Sequence, residues 1–107
     1  MKFASEFDAR AFHDGPPAMF TMDVRGELRV DPERTREIGL LGPLPAEREV
    51  AHYVLVDRAT GVKMYALVTH PSLAERQPRA DARRCASHDE AVAEVAAQWV
   101  SRRPAGT

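Results

Sequence analysis

The sequence predicts a small α+β domain. The expected core is an antiparallel sheet of about four or five strands, with its central hairpin over 50–69. A C-terminal helix over about 88–103 and a shorter helix over about 32–38 are expected to pack on it. Three observations carry this. Two β-rich runs, 50–57 and 62–69, flank Arg58-Ala59-Thr60-Gly61, a loop that ends on the residue best suited to positive φ. Asp31-Pro32-Glu33 places a capping acid before a proline at the first helical position. Ser87-His88-Asp89-Glu90 is a capping box, with serine at the cap and glutamate three residues later.

The chain has 107 residues, 44% apolar and 29% charged. That composition suits one globular domain spanning 1–107 rather than a disordered chain. No run approaches the ~18 apolar residues that cross a bilayer. The acids Glu6 and Asp8 lie where a secretory leader needs an apolar stretch, so a cytoplasmic protein is expected, with no membrane contact. The formal charge is −1, and no global field draws the chain to nucleic acid or anionic lipid. The halves differ. Residues 1–50 hold ten acids and seven bases, net −3, and residues 51–107 hold six acids and eight bases, net +2.

From the N-terminus, Phe3, Phe7 and Ala11 fall at helical spacing with Ser5 as a possible cap, while Phe3, Ser5 and Phe7 also fit a strand. A short strand at 2–7 is the preferred reading. Pro16 and Pro17 end that segment. Residues 18–24 and 27–30 read as a hairpin about Arg25-Gly26. The helix begun at Pro32 is expected to stop at Gly39, and Leu40 to Pro45 form an apolar connection. In the central hairpin, Val54 should face Tyr65 and Leu55 should face Met64. Val50, His52, Val54, Val56, Tyr65 and Leu67 then share one face. Ala51, Tyr53, Leu55, Met64, Ala66 and Val68 share the other. Both faces are apolar, so the hairpin should be covered on both sides or by a partner. Residues 71–86, with two prolines and many charges, read as a long polar loop with room for a helical turn. In the last helix, Val92, Val95, Ala96 and Trp99 form the expected core stripe. Glu90, Glu94, Gln98 and Ser101 mark its wet side, and Trp99 should be buried.

The chemistry-bearing residues form no recognisable motif. His13, His52, His70 and His88 include no HxH or HExxH pair, so no metal site is expected. The serines lie outside GxSxG and SxxK patterns. Gly39 and Gly42 are not part of a phosphate loop. The single cysteine, Cys85, closes no intrachain disulfide. No catalytic residue, cofactor or metal is therefore assigned.

The expected function is that of a non-catalytic protein-interaction domain: an adaptor, regulator or inhibitor that docks on another protein, a basic or nucleic-acid-binding one among the candidates, with a homodimer as one form. Glu6, Phe7, Asp8, Phe12, Asp14, Tyr53 and Tyr65 are the candidate contact residues, the aromatics as anchors and the acids for steering. Two alternatives stay open. One is a small enzyme or ligand-binding domain with a pocket near Tyr53, Tyr65, His52 and His70. The other is nucleic-acid binding through Arg76, Arg79, Arg83 and Arg84 with Arg102 and Arg103. No aromatic residue interleaves those arginines for base stacking, so direct nucleic-acid contact is not the favoured reading.

Overall fold

In a computed structural model that describes residues 2–23 and 25–102, leaving out the side chains of 99–102, nine elements follow in chain order. They are α1 (Glu6–Asp14), β1 (Met19–Met22), β2 (Leu28–Val30), α2 (Pro32–Gly39), β3 (Ala51–Asp57), β4 (Lys63–Val68), α3 (Pro71–Glu75), β5 (Ala80–Cys85) and α4 (His88–Arg102). The five strands form one sheet, antiparallel throughout, in the order β2-β1-β4-β3-β5. The α+β class and the central hairpin hold. Val54 faces Tyr65 and Leu55 faces Met64, the register that the loop length implied. Gly61 closes that loop at φ 73°, where an L-residue with a β-carbon is disfavoured.

Each apolar face of the hairpin is covered by the chain itself. On one face, Ala51, Tyr53, Leu55, Ala66 and Val68 meet Ile38 of α2 and Leu73 and Ala74 of α3. On the other, Val54, Tyr65 and Leu67 meet Phe12 of α1 and Ala91 and Val95 of α4. The hairpin therefore leaves no surplus apolar face for a partner. Among the described residues, the large apolar ones that remain exposed are Phe7, Leu40, Leu41 and Val50.

Expectations for the N-terminal segment, residues 71–86, the faces of α4 and the end of α2 need correction. Residues 6–14 are helical rather than a strand continuing from residue 2. The Ser5 hydroxyl accepts from the Asp8 amide at 3.2 Å, the bond a cap makes to the first helical turn, and Phe3 keeps only a single parallel bridge to Leu28. Residues 71–86 hold the helical turn, as α3, but 80–85 form a strand and not a loop. His70 caps α3, accepting from the Ser72 amide at 3.3 Å, and residues 80–85 pair with β3 from His52 to Asp57. The hairpin's unmet backbone groups recruit a segment whose own composition has little strand preference. In α4 the buried stripe is Ala91 and Val95, and Ala96 is exposed. Glu94 and Gln98 are not on a wet side. Gln98 Oε1 accepts from the Lys63 amide at 2.7 Å, and Glu94 pairs with Lys63 and Arg83. The expected burial of Trp99 falls on a side chain outside the described residues. The α2 end also differs slightly, since Gly39 is its last helical residue and Leu40 the cap.

Candidate functional site

Backbone pairing separates the two edges of the sheet. In an antiparallel ladder, residues alternate between bonding inward to the neighbour and pointing their N–H and C=O outward. On β2, the Asp31 amide donates to Met19 O at 2.8 Å, which makes Leu28 and Val30 the outward residues under the β1–β2 register. Both are met. Leu28 N donates to Lys2 O at 2.8 Å, Leu28 O accepts from Ala4 N at 2.9 Å, and Val30 N donates to Asp8 Oδ1 at 2.9 Å. The N-terminal segment and α1 seal this edge.

The β5 edge is built differently. The Arg58 amide donates to Arg79 O at 3.1 Å. With the β3–β5 register, this turns residues 81, 83 and 85 inward to β3 and residues 80, 82 and 84 outward. No described residue bonds the outward backbone groups of Ala80, Ala82 and Arg84. Residues 81–84 are all solvent-exposed. Their side chains divide by face. Asp81 and Arg83 lie on the α4 side, where Asp81 accepts from Arg58 Nε at 3.0 Å and Arg83 pairs with Glu90 and Glu94. Ala80, Ala82 and Arg84 lie on the α3 side and border an open groove of about 520 Å³ that Tyr53 and Glu75 also line and that Arg58 and Asp81 reach at the strand edge. Ligand sites of that size are mostly apolar and enclosed, and this groove is charged and open along the strand.

A second cluster lies beneath α4. The Tyr65 hydroxyl is 2.8 Å from His52 Nδ1 and 2.8 Å from His88 Nδ1. A phenol has one proton and can accept through its lone pairs, so it donates to one ring and accepts from the other. Burial pushes the Tyr65 pKa well above its usual value, with the neighbouring Cys85 thiol adding to the rise. Burial and the nearby His88 ring lower that of His52. The Tyr65 tyrosinate and the His52 imidazolium are thus both disfavoured at neutral pH. The three side chains form a hydrogen-bonded strut between β3, β4 and the start of α4, and none of them lines the groove.

The sequence-predicted contact residues are scattered by the fold. Phe7 is 70% exposed, Asp14 is exposed, and exposed Glu6 accepts from Arg10 at 2.6 Å. Phe7 and Asp14, seven residues apart, share the outer face of α1. Asp8 is buried and is spent on Val30 and Ser5. The Phe12 ring packs tilted against Phe3 and edge-on against Phe20, at centroid distances of 5.3 and 5.6 Å. Tyr53 and Tyr65 are buried on opposite faces of the sheet, so they line no common pocket. His52 joins Tyr65, and His70 is occupied as a helix cap.

The arginines are dispersed as well. Arg76 donates to Pro43 O at 2.8 Å, Arg79 pairs with Glu33 and Glu37, and Arg83 pairs with glutamates of α4. The Arg102 side chain and Arg103 lie outside the described residues. Among the described residues, no group of three or more His, Cys, Asp or Glu is placed to hold a metal, and no helix is long and apolar enough to cross a membrane.

The open β5 edge was missed from sequence because 80–85 lacks β-branched residues. The available signal was indirect: a hairpin apolar on both faces needs strands on both flanks. Comparison with protein-family models, with curated proteins and with solved structures returned no match.

Proposed function

We propose that this chain is a non-catalytic protein-interaction domain, an adaptor, regulator or inhibitor acting in the cytoplasm, and that it binds by accepting a strand at β5. One observation carries the reading. One edge of the sheet is sealed by the chain's own N-terminal segment, and the other presents six residues of strand with outward backbone groups unpaired by any described residue. An exposed edge is a ready template for strand addition, in which main-chain bonds supply affinity. Glu6, Phe7 and Asp14 on α1 form a lesser contact surface, on a helix that packs against β2 at the other end of the sheet.

The substitution Ala82→Pro tests this. Ala82 N–H points away from β3, so proline removes a donor that the partner needs and leaves the β3 ladder intact. Wild-type protein should retain a captured partner, with slowed hydrogen exchange at the 80, 82 and 84 amides in the complex. Ala82→Pro should lose the partner while keeping its native circular-dichroism spectrum. A partner retained by Ala82→Pro, with the 80 and 84 amides exchanging freely in that complex, would reject the β5 edge. The competing reading is a small polar ligand in the groove beside Tyr53 and Arg84. It is favoured instead if a ligand shifts the groove resonances equally in both proteins.

A further inference from the structure

The charge pattern along β5 points to what the edge accepts. We propose that the added strand is β5 of a second copy, antiparallel and centred on Ala82, which joins two sheets into one. This rests on the strand-addition reading above and names its partner.

Two antiparallel strands related by a two-fold axis can be neighbours in one sheet only if that axis is normal to the sheet. Both copies then keep the same face up, and residues opposite one another have the same parity. Outward bonding through 80, 82 and 84 is compatible with three central registers. Centred on residue 81, the two Asp81 side chains would face each other. Centred on residue 83, the two Arg83 side chains would face each other. Like charges directly opposite are destabilising. Centred on residue 82, Asp81 of each copy faces Arg83 of the other, Ala82 faces Ala82, and Ala80 faces Arg84. This is the register of the three without a like-charge pair.

The backbone agrees with that choice. Ala82 with Ala82, and Ala80 with Arg84, become hydrogen-bonded pairs. Asp81 with Arg83 becomes the non-hydrogen-bonded pair, whose side chains approach more closely. Existing contacts are kept. A carboxylate has two oxygens and several lone-pair sites, and a guanidinium has five N–H donors. Asp81 can hold Arg58 of its own chain and Arg83 of the second copy. Arg83 can hold Glu94 of its own chain and Asp81 of the second copy. Each half of the junction is then a run of alternating charge: Arg58, Asp81, Arg83, Glu94. Charged side chains on a free edge ordinarily discourage pairing. On β5 they select one register. The alanines at 80 and 82 leave room on the α3 side for the second copy's Arg84 stem to cross the open groove.

The test is a charge-reversal exchange followed by sedimentation equilibrium of the full chain. Wild type should show a monomer–dimer equilibrium. Asp81→Arg puts arginine opposite arginine in both pairs, and Arg83→Asp puts aspartate opposite aspartate. Each variant alone should dimerise at least roughly tenfold more weakly than wild type. An equimolar mixture restores Arg–Asp in both pairs and should form a heterodimer near wild-type affinity. Ala82→Cys supplies an independent readout, because only a register centred on 82 places the same residue opposite itself there, at a Cα separation that a disulfide spans. It should form a covalent dimer on mild oxidation, while wild type, whose one thiol Cys85 is buried, should not.

Wild type that stays monomeric at hundreds of micromolar would overturn the second-copy proposal. The strand-addition reading then stands or falls on Ala82→Pro and another protein. A wild-type dimer that resists Ala82→Pro, or Ala82→Cys that fails to cross-link within a dimer, would overturn the proposed junction.

Discussion

Asp8 tests how the fold closes its β2 edge. Its carboxylate accepts from the Val30 amide at 2.9 Å and from the Ser5 hydroxyl at 2.5 Å, and the residue is 6% exposed. Replacing it with alanine deletes both acceptors. The Val30 N–H is left without a protein partner, a loss of about 1–3 kcal/mol, and the Ser5 contact contributes about 1 kcal/mol more. The expected destabilisation is therefore about 2–4 kcal/mol. Unfolding entropy near 60 °C is about 2.1 cal/mol/K per residue, or about 0.22 kcal/mol/K for this chain, so Tm should fall by roughly 9–18 °C. Asp8→Asn is the paired control. Its amide oxygen can still accept from Val30 and its NH₂ can donate to Ser5, so it should lose only about 1 kcal/mol. Urea unfolding with matched m-values measures both losses, and hydrogen exchange at Val30 should accelerate in the alanine variant alone. If alanine and asparagine both stay within about 0.5 kcal/mol of wild type, as ordinary surface substitutions do, the carboxylate does not seal the edge.

Gly61 sits at φ 73° with no atom within 4 Å of a β-carbon built there, so Gly61→Val is opposed by backbone conformation rather than by a clash. It should cost about 1–3 kcal/mol in thermal or urea unfolding, and Gly61→Asn should cost clearly less because asparagine tolerates this region. Equal losses for the two would reject the conformational account. His52, whose pKa is lowered by burial and by His88, gives a pH dependence of definite sign. The unfolded chain binds this proton near the usual 6.5 and the folded chain only at lower pH, so stability is full above about 6.5 and falls as pH drops through the folded value. The Asp23 and Asp57 carboxyls are also held below their usual value of 3.8, so their loss comes at more acidic pH still. Urea midpoints at pH 8 and pH 5 should therefore differ, and the difference should shrink in His52→Asn. An unchanged difference would remove His52 as its source.

Local chemistry made much of this fold legible. The Asp31-Pro32 and Ser87–Glu90 signals set two helix starts, and Asp31 and Ser87 accept from the amides of Arg34 and Glu90 as caps do. Alternation and a glycine-ended loop set the central hairpin and its register, because each turns on residues close in sequence. The signals failed where long-range pairing outweighed local preference. Residues 80–85, Ala-Asp-Ala-Arg-Arg-Cys, have no strand propensity of their own and become β5 because β3 offers them six partners. The Ser5 cap and the burial of Asp8 fix α1 over a strand reading of comparable local merit, since only in three dimensions does Val30 present an amide there. The candidate site belongs to that second category. Which residues of a strand face outward depends on the phase of the ladder. That phase is set by Arg58 pairing with Arg79 across the sheet, a contact between residues 21 apart. Asp81 and Arg83 could be read from the sequence as two charges in a polar run. Their place on an open edge, with α4 glutamates and Arg58 behind them, was decided by the tertiary structure, because burying both faces of the hairpin brings in β5 and leaves its far side without a neighbour among the described residues.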